Sequence, residues 1–227
     1  PGATLNDPPA HMPALDVVVE QFELRGKKLG RLEVEAVNLD AAPTRQGARG
    51  VQEWQLSRLA LRTPEASFSA SGQWAALPRA PALPPDPRAP RAPNDPRRTQ
   101  LDFRLDVRDG GALLARLDMP GVLTRGSGRL EGSLGWAGSP LSPHYPSMTG
   151  QLRLDFGAGQ FLKASPGMAK LLGVISLQAL PRRLTLDFRD LFSSGFAFDS
   201  VRGDVAVQRG VARTNNLQMK GVNAAVL

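Results

Sequence analysis

Apolar and polar residues alternate with period two along most of the chain. In TQLDFRLDVRD, Leu101, Phe103, Leu105 and Val107 fall on one side while Asp102, Arg104, Asp106 and Arg108 fall on the other, the spacing of a half-buried strand. The pattern recurs at Leu32 and Val34, at Phe68, Ala70 and Trp74, at Leu152, Leu154 and Phe156, at Leu184, Leu186 and Phe188, and at Val201, Val205 and Val207. Sheets with one apolar and one charged face are antiparallel, because parallel sheets are covered on both faces and read as unbroken apolar runs. Gly26 with Lys27, Asp109-Gly110-Gly111, Gly157-Ala158-Gly159 and Arg209-Gly210 each separate two alternating runs. They predict the hairpins of a meander with about ten to twelve strands.

Three segments interrupt the alternation. Leu77 to Arg98 carries Pro at 78, 81, 84, 85, 87, 90, 93 and 96, and Pro at that density cannot donate to a ladder, so a Pro/Arg-rich surface loop is expected. DGGALLARLDMPG suits a short helix stopped by Pro120 and Gly121. In SPGMAKLLGVISLQALPRR, Ser165 can cap a helix with Pro166 in its first turn, and Met168, Leu171, Leu172, Ile175 and Leu177 form its apolar stripe. That helix, around 165–180, either plugs one end of the apolar sheet face or meets a membrane surface. The chain divides into N-terminal strands at 1–76, the loop at 77–98, and a β region with its helix at 99–227.

Composition narrows the chemistry. With 41% hydrophobic residues in 227 the chain can bury a core, and with no Cys it has neither disulfides nor thiolate metal sites. Its two His, His11 and His144, are far apart, which argues against a zinc hydrolase or a Ser/His triad. Asp187 and Asp190 read as surface carboxylates beside Arg189, and GSGRLEGSLG lacks the spacing of a phosphate cradle. No enzymatic activity, catalytic residue, metal or cofactor is therefore expected. The net charge of +7 raises the question of nucleic acid. Stacking of bases, however, needs aromatic and basic residues on one face, and Phe103, Phe156 and Phe188 alternate out of phase with Arg104, Arg153 and Arg189. No nucleic-acid partner is expected. No window has the roughly 18 apolar residues of a membrane-spanning helix. Pro1 stands where an initiator Met would be and GVNAAVL stops in mid-strand, so a piece of a longer protein is expected.

Two helices cannot cover the apolar face of so long a sheet. Either the sheet folds on itself as a sandwich or barrel, or the face stays open as a groove for an apolar ligand. Periodicity leaves both possible.

The last third of the chain adds a resemblance. Gly159 with Phe161, Leu171-Leu172-Gly173, Leu180 with Arg182-Arg183-Leu184, Asp187-Phe188 and Asp190, Gly195-Phe196 with Phe198-Asp199, Gly203, Gly210 and Thr214 stand in this order. With these blocks, residues from about Gly150 to Leu227 resemble the C-terminal part of the AsmA-like proteins of Gram-negative envelopes, and most closely their YhdP branch. The resemblance implies a mainly β fold: a long twisted antiparallel sheet curled into an apolar groove, capped by one or two short helices. It implies non-enzymatic phospholipid transfer between inner and outer membranes, in the periplasm, with an inner-membrane anchor in a part of the protein outside this sequence. On this reading Leu101, Phe103, Leu105, Leu152, Leu154, Phe156, Leu184, Leu186, Phe188, Val205 and Val207 line the groove against phospholipid acyl chains. Met168, Leu171, Leu172 and Ile175 cap it or face a membrane, and a membrane surface or envelope proteins are further candidate partners at the C-terminal end. The competing reading is a scaffold or interaction module for outer-membrane biogenesis, with no lipid cavity.

Overall fold

Antiparallel pairing joins the first five strands one to the next in chain order. The computed structural model describes residues 12–39, 53–76, 97–162, 195–221 and 224–226. The strands are β1 (Leu15–Leu24), β2 (Lys27–Leu39), β3 (Glu53–Arg62), β4 (Ala66–Ala76), β5 (Arg97–Val107), β6 (Leu123–Arg125), β7 (Gly128–Ala137), β8 (Thr149–Phe156), β9 (Gly159–Phe161), β10 (Phe196–Phe198), β11 (Ser200–Gln208), β12 (Val211–Arg213), β13 (Gln218–Gly221) and β14 (Ala224–Val226). A helix, α1 (Gly110–Arg116), follows β5. An 11-stranded sheet runs in the order β1-β2-β3-β4-β5-β7-β8-β11-β13-β14, with β12 also paired to β11; β10-β9-β6 form a second, 3-stranded sheet. The described strands exceed the number expected because β6, β9, β10, β12 and β14 have 3 residues each, too few to show a period.

Two of the four Gly-marked turns are hairpins. Arg25-Gly26, with φ of 52° and 77°, joins β1 to β2, and Arg209-Gly210, with 50° and 73°, joins β11 to β12. Positive φ at both central residues matches the right-handed twist of paired strands. The other two turns have different uses. Asp109 caps α1, its carboxylate accepting from the Ala112 amide at 3.0 Å. The Gly157 amide donates to the Ser127 carbonyl at 2.8 Å, and the chain leaves the main sheet there to form β9 in the second one. The expected second helix around 165–180 lies outside the described residues, as do Leu184, Leu186 and Phe188. Of the Pro/Arg-rich stretch, 77–96 also lie outside, whereas Arg97 and Arg98 already belong to β5, opposite Ala76 and Ala75.

Strand β3 breaks the period-two rule in sequence yet keeps one apolar face. Leu56 faces Gly72 and Leu59 faces Ala70, with two residues of β3 set against one of β4. A bulge of this kind absorbs the extra residue, so that Leu56, Leu59 and Leu61 fall on the same side.

The large buried side chains gather at the two ends of the strands, while the small Ala60 and Ala70 are buried between them. At one end Met12, Ala36, Trp54, Leu56 and Trp74 form a cluster, against which Leu15, Val34, Leu59 and Leu101 pack. At the other, Val107, Val122 and Phe198 are buried. Here Phe161 and Phe198 of the second sheet meet at 5.3 Å between ring centroids, and a Cβ on Gly159 would strike the Phe198 ring. The Gly110 amide at the start of α1 donates to the Gly126 carbonyl, and the Leu162 amide donates to the carbonyl of the buried Val122, extending the pairing of β9 with β6 at this end.

Candidate functional site

Residues directly opposite each other on neighbouring strands share a face of the sheet, so the register converts the strand pattern into rows that cross the sheet. One row reads Leu15, Ala36, Leu56, Gly72, Leu101, Leu134, Gly150, Val207. The next reads Val17, Val34, Leu59, Ala70, Phe103, Gly132, Leu152, Val205, and the third Val19, Leu32, Leu61, Phe68, Leu105, Leu130, Leu154, Gly203. A shorter fourth row holds Ala66, Val107, Gly128, Phe156, Val201 and Met219. Every position in these rows is apolar or glycine, across eight strands in the first three.

Leu101, Phe103, Leu105, Leu152, Leu154, Phe156, Val205 and Val207, singled out from the sequence, therefore lie together on one face. Leu184, Leu186, Phe188, Met168, Leu171, Leu172 and Ile175 fall outside the described residues. Leu130, Leu134, Leu56, Leu59, Leu61, Val17 and Val19 join the face without having been anticipated. Leu130 and Leu134 were hidden in the Gly-rich run GSGRLEGSLG, which forms β7, although Leu130 and Leu134 do sit at strand spacing. The β3 leucines were hidden by the bulge.

Most of the middle of this face is half-buried: Leu101, Phe103, Leu105, Leu130, Leu134, Leu152, Leu154 and Val205 are neither fully covered nor exposed. Phe68 and Phe103 stack at 6.1 Å between centroids. A Cβ at Gly132 would lie 2.9 Å from Leu152 Cα and nearer still to the Gln151 carbonyl oxygen. The close backbone approach of β7 and β8 at that point requires glycine between Phe103 and Leu152.

The opposite face is ionic. Arg104 and Arg129 both bond the Asp106 carboxylate at 2.7 Å, Arg202 bonds Asp155 at 2.8 Å, and Arg153 bonds Asp204 at 3.1 Å. The arginines beside Asp106 hold its carboxyl below the usual range, as Arg31 does for Glu33; a hydrogen bond from Asn216, joined by Arg153, does the same for Asp204. A hollow of about 870 Å³ on this side is lined by Glu131, Ser133, Gln151, Arg153, Asp204 and Arg213, and one of about 580 Å³ by Arg58, Arg62, Ser67, Ser69, Ser71, Asp102 and Arg104. Arg153, Arg58 and Arg62 in these hollows already pair with carboxylates. The hollows are therefore wetted, charge-neutralised surface, and they assemble no set of groups for chemistry.

Among the described residues no group of three or more His, Cys, Asp or Glu could hold a metal ion. His144 precedes the short 3-10 turn Tyr145–Ser147, and its buried Nδ1 has no hydrogen-bond partner. Among the same residues no helix is long and apolar enough to cross a membrane. What the arrangement offers is an apolar surface continuous over eight strands, backed by a charged one that water can wet.

The family described as "YhdP protein" matches residues 2–227. The intermembrane phospholipid transporter YhdP of Escherichia coli (strain K12) is 34% identical over 94 residues, which cover 41% of this chain and 7% of that protein. No solved structure matches.

Proposed function

Because the chain belongs to the YhdP protein family, we propose that it forms one section of a conduit for phospholipids between two membranes, with acyl chains held along the apolar rows of the long sheet. The Escherichia coli relative is named an intermembrane phospholipid transporter, and this chain spans 7% of its length. The observation that carries the reading is the unbroken apolar character of the three rows from β1 to β11 combined with their half-burial. In a packed sandwich the large central side chains would be the most buried, whereas here Phe103, Leu105, Leu130, Leu152 and Leu154 stay half-buried and the large buried side chains gather at the strand ends.

The energetics favour continuity. An acyl chain of about 15 methylenes costs on the order of 12 kcal/mol to expose to water, at roughly 0.8 kcal/mol per CH₂. One polar residue in the rows would raise a local barrier, and none of the rows contains one. Ten strands at about 4.8 Å spacing extend about 45 Å, so the section passes lipid to neighbouring sections. The charged back keeps the strip in water and needs no reacting group, in line with a non-enzymatic role in the envelope, periplasmic and tethered to the inner membrane by another part of the protein.

The test is mild purification of the 227-residue chain, organic extraction and mass spectrometry, with a photoreactive residue at Leu154 as a second arm. Co-purified phospholipid and a lipid adduct at Leu154 are expected. Absence of both would favour the scaffold reading.

A further inference from the structure

The water-facing side of the long sheet is not ionic throughout. Across β3, β4 and β5, Gln55, Gln73 and Gln100 stand directly opposite one another. Two residues along, Ser71 faces Asp102, and the β3 bulge sets Ser57 against Ser71. These six side chains are exposed and line a hollow of about 470 Å³ that no cation lines. Among the described residues none of the three amides makes a side-chain hydrogen bond, and Asp102 has no ion pair. The arginines of the neighbouring rows are matched instead to Glu33 and Asp106. The same two rows run on through Gly135 and Ser133 of β7 to Thr149 and Gln151 of β8 without a further charge.

We propose that this strip binds a neutral, β-linked N-acetylhexosamine chain lying across the strands. Each Gln amide offers two donors and two acceptor lone pairs, the Ser hydroxyls both donate and accept, and the Asp102 carboxylate accepts only. Sugar hydroxyls and an acetamide group answer every one of these. An anionic ligand would find no cation in the hollow to pair with, and an apolar one would strip water from six polar groups without replacing it. The short side chains of Ser57 and Ser71 lie between longer Gln and Arg side chains, which makes the depression. Neighbouring strands are ~4.8 Å apart, close to the rise of one sugar in an extended β-linked chain, so a chain crossing the sheet presents one sugar to each strand. From β3 to β8 the strip covers four such steps, about 19 Å. No aromatic ring lines the hollow, so hydrogen bonds carry the recognition. The strip lies on the opposite side of the sheet from the apolar rows, and a glycan held there leaves the lipid face open.

The side-chain amides report occupancy directly. The 227-residue chain, isotopically labelled on nitrogen, is titrated with N-acetylchitotetraose and followed by nuclear magnetic resonance. Saturable shifts are expected, largest at the amide groups of Gln55, Gln73 and Gln100, with a dissociation constant of about 1 mM, the scale of several water-exposed hydrogen bonds. Asp102→Ala is expected to weaken binding about fivefold, and Gln73→Arg, which fills the hollow, to remove the shifts of Gln55 and Gln100. Both positions are exposed and unbonded, and the backbone resonances of each variant check that the fold is kept. Maltotetraose, whose α-linkages coil the chain, and the anionic tetragalacturonate are expected to cause no saturable shift. Absence of saturation with N-acetylchitotetraose up to about 10 mM, shifts centred elsewhere, or unchanged binding by both variants overturns the proposal. Equal binding of maltotetraose rejects the match to strand spacing, and tighter binding of tetragalacturonate rejects a neutral ligand.

Discussion

Arg116 grips both oxygens of Glu65, with Nη2 2.6 Å from Oε1 and Nε 2.9 Å from Oε2. Its remaining nitrogen, Nη1, donates to the Lys28 carbonyl at 2.8 Å, and Lys27 pairs with Asp118 just beyond α1. The last turn of α1 is thereby fastened to the connection between β3 and β4 and to the start of β2. A bidentate guanidinium fixes direction as well as distance, so this clamp holds α1 against the strand ends of the long sheet.

The clamp makes acid stability depend on Glu65. The hydrogen bonds from Arg116 outweigh partial burial and bring its carboxyl down to about 2 from 4.5. A carboxyl lowered in the folded state contributes stability that is complete above the unfolded value near 4.5 and is lost as pH falls toward 2. Urea titrations from pH 7 to pH 2.5 are expected to show this loss. Glu65→Gln should cost about 2 kcal/mol at pH 7 and flatten the acid limb. An acid limb unchanged in the variant would assign the loss to other carboxylates.

Leu154 and Arg153 are neighbours on opposite faces of β8, facing Leu130 and Glu131 of β7 respectively. Leu154→Asp places a charge in the third apolar row and is expected to abolish phospholipid retention. Arg153→Ser removes one exposed ion pair, with Asp204, and should change stability by less than about 0.5 kcal/mol and leave bound lipid unaltered. Lipid counts per chain by mass spectrometry compare the two, and equal effects would contradict the assignment of faces.

Gly132→Val tests the close approach of β7 and β8. Its side chain would collide with backbone atoms of Gln151 and Leu152, which cannot swing aside as a flexible side chain can. A loss of about 3 kcal/mol or more in urea unfolding is expected. At Gly26, where a Cβ meets nothing within 4 Å and only the positive φ opposes it, Ala should cost about 1 kcal/mol.

Thr99→Val examines the row Trp54, Trp74, Thr99, Trp136, which register sets side by side, without altering its shape. Thr99 is 2% exposed and its hydroxyl donates to the Gly138 carbonyl at 2.7 Å. Loss of that bond leaves a buried carbonyl short of a partner and is expected to cost about 1–2 kcal/mol. Thermal unfolding measures it, and tryptophan emission should remain close to that of the unaltered chain.

Alternation at Leu101, Phe103, Leu105 and at Leu152, Leu154, Phe156 by itself determined that these residues share a face, because successive side chains on a strand point to opposite sides whatever surrounds them. The opposition of Phe103 to Arg104 and of Phe156 to Arg153 followed from the same local geometry. Which strands would stand side by side was another matter. Leu56 and Leu59 look out of phase until the bulge against Gly72 and Ala70 brings them together, and Trp54, Trp74 and Trp136 become one row only through register. Arg97 read as the end of a Pro-rich loop, yet pairing with Ala76 draws it into β5 and onto Trp74. Register and bulges arise from hydrogen bonds between segments distant in the chain. For that reason the apolar face was legible in the sequence, and the tryptophan row that closes it at one end emerged only from the tertiary structure.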